Sequence, residues 1–323
     1  MMPSSIVSRL LPVAIAFVAL ALFPMAGSQY HVDLAMKIMI LAVFALSLEL
    51  LVGQTGLVCF GHAAFFGIGA YAVTLLTPQT GPASLWLVLP ASLAAAALYA
   101  LPVGALSLRT KGVYFIMITL AFAQMAYFVF HDTPLGGGSD GIYLDFRPDP
   151  SIGGWQPFDL NSGHTLYYAV LASLAGVFGL LAVMLRSRYG RALAGIRVNE
   201  QRMRAAGFPT YLYKLGAFVM SAALAGLAGF LYALKDGYVN PEIVSWHQSG
   251  AVLLMIILGG LGHLRGAMLG ALAFTLLQEL FQSNAVFGEF ARHWQLPLGL
   301  TIIAFVALLP KGLIGIALRG GKG

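Results

Sequence analysis

Charge is scarce in this chain. Asp, Glu, Lys and Arg make up 9% of its 323 residues, against about 25% in soluble domains, and mean hydropathy is +0.85. With 59% hydrophobic residues, a water-solvated globule is excluded. Cysteine is reduced to Cys59, within an apolar stretch, so there is no disulfide framework. No G-x-x-x-x-G-K-[ST] run occurs, so the chain has no P-loop with which to hydrolyse ATP. Paired intramembrane carboxylates, His-Glu-x-x-His and a Ser/Lys dyad within helices are missing too, which argues against an intramembrane enzyme. No catalytic residue, cofactor or metal site is therefore expected. The formal charge of +6 comes without basic–aromatic clusters on a soluble module, which argues against nucleic acid.

What is present is a series of apolar runs, each of about 18 to 25 residues and long enough to cross a bilayer as a helix. We read about ten spans, at 10–27, 33–52, 58–77, 85–107, 112–130, 164–185, 213–234, 247–262, 266–283 and 294–310. The first run follows Arg9, and Gly27-Ser28-Gln29 is a poor cleavage site, so it is read as a retained helix rather than a secretory signal. An N-terminus inside the cell places Arg9, Arg109, Lys111, the 186–214 cations, Arg265, Lys311, Arg319 and Lys322 on the cytoplasmic side. Asp33, Asp132, Asp140, Asp145, Asp149, Asp159, Asp236, Glu242 and Glu289 then fall outside. This sorting obeys the positive-inside rule and puts both termini in the cytoplasm. The expected fold is an all-α polytopic membrane protein with broken helices, a single transmembrane domain over 1–323.

Two polar segments stand out. Residues 131–163 form an acidic, Gly- and Pro-rich external loop, read either as a solvated loop or as part of a surface touched by an external delivery protein. Residues 186–214 hold Arg186, Arg188, Arg191, Arg197, Arg202, Arg204 and Lys214 against one acid, Glu200. Helical composition to Ala206, breakers at Gly207 and Pro209, and a return to the membrane at Lys214 describe an ordered cytoplasmic loop. Such a loop is read as docking a soluble partner, the plainer alternative being a basic helix held by anionic lipid.

Glycine sets helix packing and helix breaks. Gly262, Gly266 and Gly270 form one small-xxx-small ridge, and Ser221, Ala225 and Gly229 another. Dense glycine interrupts the apolar pattern once in each half: at 53–71, GQTGLVCFGHAAFFGIGAY, and at Gly259-Gly260-Leu261-Gly262. Broken helices at membrane depth are tolerated where they face protein or a water-filled path.

The 53–71 run resembles the signature of branched-chain amino acid ABC importer permeases, specifically the LivM-like subunit, which usually has Ser-Leu where this chain has Cys59-Phe60. The resemblance continues at Lys111-Gly112-Val113-Tyr114-Phe115, Thr119-Leu120-Ala121-Phe122, the 190–200 run GRALAGIRVNE, Lys214-Leu215, Ala217-Phe218 and Gly259-Gly260. It covers about 50–310 in family order. The 190–200 run departs at Gly195 and Val198, where the family more often has Ala and Glu.

The resemblance implies one half of the translocation path for leucine, isoleucine and valine. A homologous second permease, two cytoplasmic ABC ATPases and an external solute-binding protein would complete the importer in a bacterial inner membrane. Arg191, Arg197, Asn199, Glu200 and Arg202 would couple to the ATPases. Candidates for the path are Glu49, Gln54, His62, Phe65, Thr119, Gln124, Gly259 and Gly260, with Gln278 and Glu279 as further polar intramembrane residues. Buried ionisable groups such as Glu49 are costly in lipid and so face the bundle interior or an interface. A hydrogen-bonded packing role for His62 is favoured over substrate contact. Alternatives are urea, amides or other amino acids carried by the same architecture, or an ion-coupled secondary transporter.

Overall fold

The computed structural model describes residues 4–78, 80–151, 155–309 and 311–319; Lys322, assigned above to the cytoplasmic side, lies outside them. It is almost wholly helical. In chain order the helices are α1 (Ser4–Ala26), α2 (Gln29–Thr55), α3 (His62–Leu76), α4 (Leu85–Ser107), α5 (Val113–Asp132) and α6 (Gly163–Arg186), then α7 (Arg188–Val198), α8 (Glu200–Ala205) and α9 (Thr210–Asp236). They end with α10 (Trp246–Gly259), α11 (Leu264–Gln282), α12 (Asn284–Phe287), α13 (Gln295–Leu308) and α14 (Gly312–Arg319).

Seven stretches among the described residues are long and apolar enough to cross a membrane: α2, α4, α5, α6, α9, α11 and 295–315. Three apolar helices are shorter, at Ala14–Met25, α3 and α10. The runs at 58–77 and 247–262, expected as full spans, are thus shorter helices of 15 and 14 residues. The first loses its start to an irregular stretch after Gly56, whose φ of +74° ends α2. The second ends at the glycine turn before α11.

Burial ranks the long helices. About the most apolar window of α2, 83% of residues are buried, and for α9 72%, against 28% for α5 and 18% for 295–315. So α2 and α9 form the centre, with α3 and α4 packed on α9, and α11 and α10 beside α2. Glycine makes these approaches possible. A Cβ at Gly229 would sit 1.8 Å from the Phe66 carbonyl oxygen, and one at Gly69 2.3 Å from that of Gly226, so α3 and α9 touch backbone to backbone. The α10–α11 crossing is built likewise: a Cβ on Gly259 would lie 1.8 Å from the Gly266 oxygen, and one on Gly270 1.8 Å from that of Met255. The expected 262/266/270 ridge is therefore corrected to 259/266/270. Gly262 lies before α11, in the turn, with φ +88°.

The 131–163 segment is more tied down than a freely solvated loop. Its strand β1 (Ile142–Tyr143) pairs antiparallel with β2 (Tyr238–Val239), just after α9. The Leu85 N–H donates to the Asp149 carbonyl and the Asp149 N–H to the Ala83 carbonyl, both at 2.8 Å, and the Trp86 indole donates to the Pro150 carbonyl at 3.0 Å.

Candidate functional site

The basic loop folds as two short helices. The Ser187 hydroxyl accepts the Gly190 N–H at 3.3 Å to start α7, and Asn199 Oδ1 accepts the Arg202 N–H at 2.9 Å to start α8. Gly207, at φ +85°, turns the chain back into α9, which begins at Thr210 rather than 213. Lys214 is consequently one turn inside the helix and 6% exposed.

Most of the loop's polar residues bond to the protein itself. Glu200 Oε1 accepts from Lys214 Nζ at 2.9 Å and from Arg204 at 2.6 Å, and from the Thr210 hydroxyl at 3.2 Å. Burial pushes the Glu200 carboxyl upward, but the bonds and charges of Lys214 and Arg204 outweigh it and hold the group below its ordinary value. Tyr189 donates to the Tyr213 carbonyl at 2.8 Å, adding a second strap to α9.

Arg197, in the last turn of α7, donates to the carbonyl of Gly53 near the end of α2. That end is where the two glycine-dense breaks meet. Glu49 Oε1 accepts the Gly262 N–H at 2.7 Å, and Gln54 Nε2 donates to the Gly262 carbonyl at 3.4 Å. Glu49 is fully buried and its Oε2 has no hydrogen-bond partner among the described residues. A Cβ on Gly53 would lie 1.8 Å from Glu49 Oε1, so only glycine lets that carboxylate fold back over the next turn. Gly260, at φ +110°, packs against Lys311 and Gly312 at the start of α14. Arg197, Glu49, Gln54, Gly53 and the 259–262 turn are thus one joint, linking the loop to α2, α10 and α11.

A second polar cluster lies deeper. His62 Nε2 and the Ser47 hydroxyl are 2.8 Å apart, and the ring stacks on Phe44 with centroids 5.4 Å apart. Ser221 Oγ donates to the Ser47 carbonyl at 2.5 Å, tying α9 to the same turn of α2. His62 is fully buried, a packed and hydrogen-bonded residue.

The family described as branched-chain amino acid transport system / permease component matches residues 30–307. This chain belongs to it. It is 31% identical over 330 residues to the high-affinity branched-chain amino acid transport system permease protein LivM of Escherichia coli K12, covering 96% of this chain and 76% of that protein. BraD of Pseudomonas aeruginosa is 26% identical over 287 residues, covering 85% of this chain and 91% of its own, and LivH of E. coli is 23% identical over 291 residues with the same coverage. No solved structure gave a significant match. The chain is a multi-pass membrane protein and a transport component.

Within this permease the other path candidates fall outside the joint. Phe65 is packed in an aromatic cluster, its ring centroid 5.5 Å from that of Phe218. The Thr119 hydroxyl accepts the Phe60 N–H at 3.3 Å and donates to the Ile116 carbonyl at 2.9 Å, which pins the break between α2 and α3. Gln124 is half-exposed on α5 with no hydrogen bond among the described residues. Among the coupling residues, Arg191, Arg197, Asn199 and Arg202 are exposed and Glu200 is half-buried, but the side chains of Arg197, Asn199 and Glu200 each bond within the protein. Val198, where the family signature more often carries an acid, is 85% exposed. Sequence reasoning missed Lys37, a cation two turns inside α2. The available signal was the charge sorting, which left Lys37 without a side.

Proposed function

We propose that this chain is the LivM-type permease of an ATP-driven importer, supplying half of the translocation path for leucine, isoleucine and valine across a bacterial inner membrane. Its single transmembrane domain keeps both termini and the 186–214 loop in the cytoplasm, crosses the membrane about ten times, and carries 131–163 outside. A homologous second permease, of the kind named LivH among the relatives, completes the path. Two separate ABC ATPases dock beneath, and an external solute-binding protein delivers the cargo.

The observation that carries this reading is the bond from Arg197 to the end of α2, at the joint with the 259–262 turn. A displacement of the loop reaches α2 through Arg197 of α7 and α9 through Glu200 of α8 and its bond to Lys214, so both central helices are coupled to one loop. The exposed Arg191, Val198 and Arg202 are left for the ATPase, and Arg197, also exposed but bonded to Gly53, acts as the link inward. Glu49 Oε2 and His62 Nδ1, both buried without a partner among the described residues, are features an ion-coupled carrier would use.

The test is uptake of labelled leucine into proteoliposomes holding the full assembly. Uptake that requires the ATPases and ATP supports the importer. Uptake that persists without them and follows an imposed ion gradient overturns it in favour of the ion-coupled carrier.

A further inference from the structure

At the end of the bundle opposite the basic loop, a cavity of about 400 Å³ opens between α2, the end of α9, the 240–244 turn, α10 and α11. Small-molecule sites usually occupy about 300 to 1,000 Å³. Its wall carries charge of both signs, which is unexpected in a chain so poor in charge.

Some of that charge is already matched. Lys235 Nζ and Asp236 Oδ1 form an ion pair of 2.6 Å, and His247 stacks on Trp246 with centroids 4.0 Å apart. What remains is Lys37 and Glu242, with the side-chain amides of Asn240, Gln248 and Gln278. None of these five side chains forms a hydrogen bond or ion pair among the described residues, although all line the one cavity. Lys37 is half-buried and about 12 Å along α2 from its start, by the helical rise. An ionisable group within an apolar helix that lines a cavity is by default a candidate for a solute path. Ile40, Leu41, Met255 and Phe274 are among the aliphatic and aromatic residues that make up most of the remaining wall, with Tyr232 adding a hydroxyl.

We infer that this cavity is a docking site for an α-amino acid zwitterion with an apolar side chain, with Lys37 taking its carboxylate, Glu242 its ammonium group, and the Ile40–Leu41–Met255–Phe274 wall its side chain. The inference rests on the importer reading above and gives it a recognition site. Uncharged urea or a simple amide would leave both unmatched charges idle. A bare anion would answer Lys37 but meet Glu242, and a bare cation would do the reverse. The amides of Asn240, Gln248 and Gln278 both donate and accept, so they serve either end of a zwitterion. With one charged contact for each end and no enclosing cage, the site holds solute loosely, as a path requires.

The experiment uses the assembled transporter in proteoliposomes, with Lys37→Met and Glu242→Gln. Each is expected to lower leucine uptake about tenfold or more, the scale of one charge-assisted hydrogen bond. A second measurement keeps both charges and introduces Gln278→Cys, the native Cys59 being buried. Excess leucine should slow modification of the introduced thiol by a charged methanethiosulfonate, whereas leucinamide, lacking the carboxylate, and isocaproate, lacking the amine, should not. If both charge variants transport at the wild-type rate, or if leucine gives the introduced thiol no protection, the docking site is wrong and the importer reading stands. If wild type takes up no amino acid, the importer reading itself fails and the site falls with it.

Discussion

The Glu49 carboxylate and the Gly262 amide, 213 residues apart in sequence, are joined by a 2.7 Å hydrogen bond. Through it the buried end of α2 is fastened to the turn between α10 and α11, and Arg197 reaches the same spot from the basic loop. Removing the acceptor isolates its worth. Glu49→Ala should destabilise the protein by about 1 to 3 kcal/mol, the cost of an orphaned donor, while Glu49→Gln, which retains an acceptor oxygen, should lose less. Thermal unfolding in detergent measures both. Equal losses would show that the charge matters and the bond does not.

Glu200 makes the loop's attachment acid-sensitive. Its folded-state pKa is depressed because Lys214 and Arg204 outweigh burial. The carboxylate's stabilisation is therefore complete above its unfolded value of about 4.3 and is lost as pH falls through the lower folded value. A spin label at Gln201→Cys should stay ordered at neutral pH and become mobile only below about pH 4. Adding Glu200→Gln should make it mobile at every pH. A label that loosens first near neutrality would contradict this assignment.

Glycine substitutions should divide sharply by position. Gly259→Ala and Gly270→Ala place a methyl group 1.8 Å from a backbone oxygen of the facing helix, and each should cost about 1 to 3 kcal/mol or more, as overpacking does. Gly250→Ala, on α10 with nothing within 4 Å of its added carbon, should be neutral or slightly stabilising, since alanine suits a helix better. Similar losses at all three would mean that the α10–α11 crossing is looser than the structure has it.

Much of this architecture is legible in the sequence because lipid imposes simple rules. Span positions follow from apolar length, and the end of the loop's helical run from Gly207 and Pro209, whereas its division at Asn199 into α7 and α8 is not registered. The glycine-dense break at 53–71 is legible, but hydropathy does not register where the turn ends, so α3 reads as starting at 58 although it starts at His62 and has 15 residues. The packing ridge slips by one step because i, i+4 spacing assumes a continuous helix, and Gly262 lies in the turn. The targets of Arg197 and Glu200 are not legible. Composition marks such residues as polar and exposed, whereas Gly53 and Lys214 become their neighbours only once α2, α7 and α9 pack. Lys37 escapes notice for a related reason: its cavity is walled by segments from both halves of the chain.

The central claim is that Arg197 transmits movement of the loop into α2, and Arg197→Ala tests it most directly. In proteoliposomes with the complete assembly, ATPase docking and leucine uptake should be measured on the same preparation. The account predicts that docking persists, because Arg191, Val198 and Arg202 still face outward, while uptake falls about tenfold or more, the scale of a lost charged hydrogen bond. Wild-type uptake by this variant would contradict the link. Loss of docking together with uptake would make Arg197 a contact for the ATPase and not a connection to α2.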